Sequence, residues 1–198
     1  DHLLTTMNPL QRYQQDLDMN LVSPDEGQRK VVMHFQRLFD AILADKPKAD
    51  SWRSIFRRST PSRGIKGIYL WGGVGRGKTY LMDLFYECLP LERKHRTHFH
   101  RFMQRIHSDL IRFQGIKNPL EKVADGIAKE SSVLCFDEFF VQDIGDAMIL
   151  AGLLDALFRR DVVLVMTSNI TPQRLYENGL QRDRFLPAIE LIKRNTRI

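Results

Sequence analysis

Two rhythms of apolar residues run along this chain. In the first part, Val31, Val32, Phe35, Leu38, Phe39 and Ile42 recur at the three-and-four spacing of one helical face. Ser23-Pro24-Asp25-Glu26 just ahead reads as the helix start, with Ser23 as cap, Pro24 in the first turn and Glu26 completing a capping box. Met7 to Leu17 predicts a second, shorter helix before it. Beyond Gly64 the rhythm changes to short apolar runs bounded by turn residues. These predict strands at Gly67-Trp71, Thr97-Phe102, Ser132-Phe136 and Val162-Met166. Helical spacing fills the gaps: up to about Leu89 before Pro90, up to about Phe113, and over about 145–158. Thr196-Arg197-Ile198 reads as the start of a fifth strand. Strand and helix in alternation predict an α/β fold, a parallel sheet covered by helices.

Between the two rhythms lies Asp45 to Gly64. It holds Lys46-Pro47-Lys48 and Arg57-Arg58-Ser59-Thr60-Pro61-Ser62-Arg63 and reads as a polar, basic linker or loop. The expected organisation is an N-terminal helical extension at 1–44, the linker at 45–65 and a core domain at 66–198. No internal repeat or low-complexity tract interrupts it.

Composition changes this picture little. An apolar share of 43% is ordinary for a globular chain, and no run is long enough to span a bilayer. The first seven residues are too short and too weakly apolar for a signal peptide. Cys88 and Cys135 are isolated and fall in expected helix and strand, so they read as small buried hydrophobes in a reducing compartment, most simply the cytoplasm. The net charge of +6 suits either an acidic partner or a plainly solvated surface.

The chemistry is concentrated in four places. Gly72-Gly73-Val74-Gly75-Arg76-Gly77-Lys78-Thr79 is a complete phosphate-binding loop between an expected strand and an expected helix. Its glycines let backbone N–H groups converge on phosphate oxygens, and the helix N-terminus adds its dipole. Lys78 is placed to meet the β- and γ-phosphates of ATP, and Thr79 to offer a hydroxyl to Mg²⁺. By average residue usage the pattern arises by chance roughly once in a few hundred chains of this length, so it outweighs any single residue elsewhere. Asp137-Glu138 closes an apolar strand 59 residues after Lys78. Asp137 suits Mg²⁺ through water, and Glu138 suits orienting the attacking water. Asn169 ends the next apolar strand and would stand near the γ-phosphate, unless it merely caps the turn into Thr171-Pro172. Arg182 and Arg184 follow Asn169 by 13 and 15 residues. That position suits an arginine finger presented to a neighbouring copy, against the plain alternative of surface ion pairs.

In this order the four places resemble the AAA+ ATPases. Trp71 to Thr79, His98-Phe99-His100-Arg101-Phe102-Met103, Cys135 to Val141, Thr167-Ser168-Asn169-Ile170 and Asn178 to Ile189 together resemble the ZapE type of bacterial cell-division ATPase, of the AFG-like P-loop family. The likeness runs from about Asn8 to the end. It implies ATP hydrolysis with Mg²⁺, homo-oligomers with a trans arginine finger, and action on FtsZ polymers. It also implies a cytoplasmic protein recruited to the division site at the inner membrane. Chains of this type continue past the position of Ile198, so the resemblance implies a P-loop domain whose C-terminal part is missing here.

Two other readings compete. A nucleic-acid handler of the helicase-loader kind would use the basic clusters at Arg53 to Lys66 and Arg93 to Arg101. A nucleotide-dependent switch would bind ATP with little turnover. A metal site among His95, His98, His100 and His107 lacks cysteine or acidic ligands at suitable spacing. Phe139-Phe140 is expected to pack beneath a loop rather than meet a substrate.

Overall fold

The structure, a computed structural model, describes residues 7–45, 64–75 and 77–198. Most of the expected linker and Arg76 of the glycine-rich loop lie outside these residues. Helix α1 (Pro9–Asp18) starts on a capping box, in which Asn8 and Gln11 each accept the other's backbone N–H. Helix α2 (Glu26–Ala44) is capped by Asp25, whose carboxylate accepts the Gln28 N–H at 2.8 Å. The expected cap at Ser23 is therefore two residues early. Asp25 adjoins the first helical residue, and its carboxylate takes the orphan donor there.

Strand β1 (Gly67–Trp71) leads through the glycine-rich loop into α3 (Lys78–Cys88). Then come β2 (Lys94–His98), α4 (Phe99–Arg112), α5 (Pro119–Glu130), β3 (Val133–Asp137), α6 (Ile144–Arg159) and β4 (Val163–Ser168). A short 3₁₀ turn at Pro172–Arg174, α7 (Arg182–Asn195) and β5 (Thr196–Arg197) complete the described chain. The five strands form one sheet in the order β2-β3-β4-β1-β5, all pairs parallel. The expected fifth strand is present, with Thr196 and Arg197 level with Gly67 and Ile68.

The second strand corrects the sequence reading. Thr97 to Phe102 was expected to be extended, yet the strand covers Lys94–His98 and Phe99 already opens α4. Phe99, Phe102, Met103 and Ile106 are all buried, and their helical spacing places them on one face against the sheet. His100 and Arg101 thus lie on a helix, not on opposite strand faces. The strand itself is basic because it is an edge, where charge discourages pairing with another chain. Helix α5 has no counterpart in the sequence reading; Val123, Ala124 and Ile127 bury its inner face.

Strand residues alternate between two apolar layers, as period two requires. Tyr69, Leu134, Phe136, Leu164 and Met166 face the layer containing α4 to α7. Ile68, Val133, Cys135, Val163 and Val165 face the layer containing α1 to α3. The helical extension is therefore part of the core's second layer: Tyr13, Phe35 and Phe39 pack with Leu81 and Phe85, and the Phe35 and Phe85 rings stack at 4.9 Å. The loop, Asp137 and Ser168 all sit at the carboxyl edge of the sheet, where open α/β sheets bind ligands.

Candidate nucleotide site

The glycine-rich loop takes its shape from backbone geometry. Gly75 and Gly77 both have φ of 81°, a left-handed conformation that glycine adopts without steric cost. A Cβ at Gly77 would also strike the Gln28 side chain of α2 at 2.5 Å, so this helix closes one side of the loop. Lys78 donates to the carbonyls of Gly72 (2.7 Å) and Gly73 (2.8 Å) and so bridges the loop on itself. Gly72 N–H in turn donates to Ser168 O at 3.2 Å, which fixes the loop to the end of β4.

A cleft of about 940 Å³ opens beside this loop. It gathers Val74, Gly75, Gly77, Lys78, Thr79, Asp137, Glu138 and Asn169, residues spread over almost a hundred positions of chain. Parallel register does this: His98 is level with Asp137, Phe136 with Met166 and Trp71 with Ser168. The strands therefore finish at one height. Gly72 and Gly73 do not line the cleft but reach it through Lys78. Arg182 and Arg184 do not line it either.

Glu138 has φ of 54°, a conformation that costs a non-glycine residue about 1–2 kcal/mol. The end of β4 holds it there. Glu138 N–H donates to Thr167 Oγ1 (3.2 Å), Phe139 N–H to Thr167 O (2.7 Å), and Ser168 Oγ–H to Phe139 O (2.8 Å). Phe139 is buried against Phe99 and Tyr69, so the turn is anchored from below as well. The result projects the Glu138 side chain outward, 81% exposed, while Asp137 is only 15% exposed. His98 Nδ1 stands 3.8 Å from Glu138 Oε2. Phe139 packs as the sequence suggested; Phe140 does not, and is half exposed. Tyr69 O–H donates to Ile170 O at 2.8 Å and pins the segment after Asn169. Burial pushes the Tyr69 hydroxyl up to about 12.

Arg96 is a residue of the cleft that the sequence does not single out. It reaches across from β2 and forks onto Asp137, Nε to Oδ2 at 2.8 Å and Nη2 to Oδ1 at 3.1 Å. Its Nη1 donates to Asp83 of α3. Burial alone would lower its pKa, but the bonds to Asp137 and Asp83 outweigh it and raise the value above the ordinary one. The sequence signal was slight: one arginine within the basic run Arg93 to Arg101.

The oxygen donors fit Mg²⁺. Thr79, exposed at the first turn of α3, and Asp137 both face the cleft, and Mg²⁺ takes few protein oxygens plus water and phosphate. Histidine–acid grouping also exists elsewhere: His107 lies with Asp143 and Asp146 of α6, acidic neighbours that sequence spacing could not reveal. Asp143 caps α6 and His107 bonds Asp146 at 2.5 Å, which accounts for the group structurally. Cys88 and Cys135 are free and buried, as expected.

The two arginines are not equivalent. Arg182 Nη2 donates to Gln173 O (2.6 Å) and Leu175 O (3.2 Å), tying the start of α7 to the preceding turn. Arg184 is exposed on the same helix. Among the described residues, no helix is long and apolar enough to cross a membrane.

Known proteins resemble this chain in sequence and in fold. The chain is 47% identical over 201 residues to the cell division protein ZapE of Escherichia coli K12, covering 97% of this chain and 54% of that one. It is 44% identical over 144 residues to lactation elevated protein 1 homolog B of Danio rerio, covering 67% of this chain and 29% of the relative. The chain thus spans about half the length of ZapE. Among solved structures, DnaI is similar with TM-score 0.59 at 18% identity, over 90% of this chain and 87% of that one. AMPPCP-bound DnaA from Aquifex aeolicus has TM-score 0.53 at 17% identity, over 83% of this chain and 46% of that one. At these identities the likeness shows the fold, that of a P-loop NTPase. The sequence model of the AFG1-like ATPases matches residues 7–198, and the chain belongs to the AFG1-like ATPase family.

Proposed function

We propose that this chain is the nucleotide-hydrolysing part of a ZapE-type AAA+ protein that remodels FtsZ polymers in dividing cells. The observation that carries the enzymatic half is the meeting of Lys78 and Thr79, Asp137 and Glu138, and Asn169 at one cleft on the carboxyl edge of the sheet. The likeness to ZapE supports the cell-division half, along with a cytoplasmic location and recruitment to the division site at the inner membrane.

In this reading the loop N–H groups and Lys78 bind the β- and γ-phosphates of ATP. Lys78 exchanges the Gly72 and Gly73 carbonyls for phosphate oxygens. Thr79 and, through water, Asp137 would hold Mg²⁺, which would offset the negative charge of the phosphates. Glu138, held outward by the Thr167 anchor, accepts a proton from a water. That water bonds to the γ-phosphorus as the bond to the bridging oxygen breaks, and ADP and phosphate leave. Asn169 orients the same water from just beyond the end of β4. Arg184 of a second copy supplies the finger, a contribution of roughly 10³–10⁵ in rate. Arg182 positions the segment instead, since its Nη2 is bonded to two backbone carbonyls of the preceding turn.

The test is phosphate release per subunit against protein concentration. Specific activity should climb with concentration, and Arg184→Ala should remove the climb at unchanged nucleotide affinity. Flat specific activity with an unaffected Arg184→Ala variant would reject the trans finger. Sedimentation of FtsZ polymers with ATP then tests the substrate: fewer polymers in the pellet are expected, and an ATP-independent result would reject remodelling.

A further inference from the structure

The arrangement around Asp137 carries more than the reading above. Asp137 has two carboxylate oxygens, and the fork of Arg96 occupies both, at 2.8 and 3.1 Å. The pair is largely sheltered, with 20% and 15% of the two side chains exposed. The third arm of the guanidinium bonds Asp83, one turn along α3 from Thr79. Arg96 thereby links the two oxygen donors of the expected Mg²⁺ site: Asp137 directly, and Thr79 through its helix. A cation already sits where a second cation has to be accommodated. From the proposed hydrolysis site, on which this step rests, we infer that Arg96 is a positioning residue that sets the site's demand for divalent metal. It draws charge from Asp137 and weakens the metal's hold, while its planar fork fixes which way the carboxylate faces.

A guanidinium bonded to Asp137 repels Mg²⁺ and competes for the lone pairs that Mg²⁺-bound water needs. Removing it leaves Asp137 more strongly negative toward the metal but free to rotate. Metal should therefore bind more tightly and turnover should become slower, a split that simple loss of structure does not produce. Asp83 gives the opposite control. With Asp83→Asn the guanidinium keeps its charge and loses a competing carboxylate, so its hold on Asp137 strengthens and metal binding weakens.

The experiment measures Mn²⁺ binding by electron paramagnetic resonance with saturating ADP, on the parent chain, Arg96→Gln, Arg96→Lys and Asp83→Asn. Arg96→Gln should tighten Mn²⁺ binding by about tenfold, since a nearby unit charge at the surface of a protein is worth that order of effect. Arg96→Lys, which retains charge without the fork, should lie near the parent in Mn²⁺ affinity yet lose turnover. Asp83→Asn should weaken binding and, being half-exposed at the site, reports even if Arg96→Gln fails to fold. Unchanged or weaker Mn²⁺ binding in folded Arg96→Gln, or unchanged binding in Asp83→Asn, would overturn the inference. Nucleotide affinity separates the two levels: if the parent chain binds no ADP either with Mg²⁺ or in EDTA, the hydrolysis reading itself fails.

Discussion

Thr167→Val is the sharpest perturbation of the proposed catalytic turn. Valine keeps the shape of threonine and removes only the oxygen that accepts the Glu138 N–H at 3.2 Å. Thr167 is 5% exposed, so water cannot readily substitute as acceptor. The lost bond is worth about 1 kcal/mol net. Glu138 also carries about 1–2 kcal/mol of left-handed strain that this bond helps to offset. The bonds of Phe139 to Thr167 O and Ser168 Oγ remain, so the turn loosens rather than unfolds. The expected loss of stability is about 1–2 kcal/mol, or roughly 2–8 °C in Tm for a chain of this size. Turnover should fall by about tenfold or more, because a carboxylate displaced by an ångström no longer addresses the water. Nucleotide affinity should not change, since the phosphate loop is untouched. Calorimetry and phosphate release measure the two effects, and Thr167→Ser should restore both. Full turnover in a variant that has lost stability would refute the claim that this anchor aims Glu138.

Three further outcomes follow from the packing. Phe139→Ala empties a fully buried site between Phe99 and Tyr69 and should cost about 3–5 kcal/mol, read from urea midpoints. Gly67→Ala would place a Cβ 1.8 Å from the Leu164 carbonyl oxygen, so β1 and β4 must separate; a loss of about 1–3 kcal/mol or insoluble protein is expected on expression. In alkaline solution the neutral forms of Tyr69 and Cys135 are favoured by burial, with both folded values near 12 against ordinary values of 10.0 and 9.0. Stability from these groups is complete below the ordinary values and is lost as pH rises toward 12. The stability advantage of the parent over Tyr69→Phe should therefore shrink between pH 10 and 12 in denaturant titrations.

What the sequence discloses follows how local each cause is. The glycine-rich loop and Asp137-Glu138 stand out in the sequence because each gathers distinctive residues within a few adjacent positions. β1, β3 and β4 are legible because they are central strands, buried on both faces, and read as apolar runs. β2 is an edge strand made of Lys94, His95, Arg96, Thr97 and His98, and its basic residues hide it from any hydrophobic pattern. The aromatic positions that imitated a strand, Phe99 and Phe102, belong to the inner face of α4. Arg96 and Thr167 were beyond reach for a different reason. Each acts on a residue in or just beyond a neighbouring strand, 41 and 29 positions away, and only register brings them together. The unequal surroundings of Arg182 and Arg184 likewise depend on where the carbonyls of Gln173 and Leu175 fall.

In the proposed reading, Glu138 converts a nucleotide-binding cleft into a hydrolytic one. Its most direct test is a single-turnover measurement with radiolabelled ATP and excess protein, comparing the parent chain with Glu138→Gln at matched nucleotide occupancy. The parent should release labelled phosphate and the variant should retain intact ATP, with a rate at least a hundredfold lower, about the lower bound for removing a general base. Equal rates in the two proteins, or no release by either at full occupancy, would contradict it and leave a nucleotide-dependent switch.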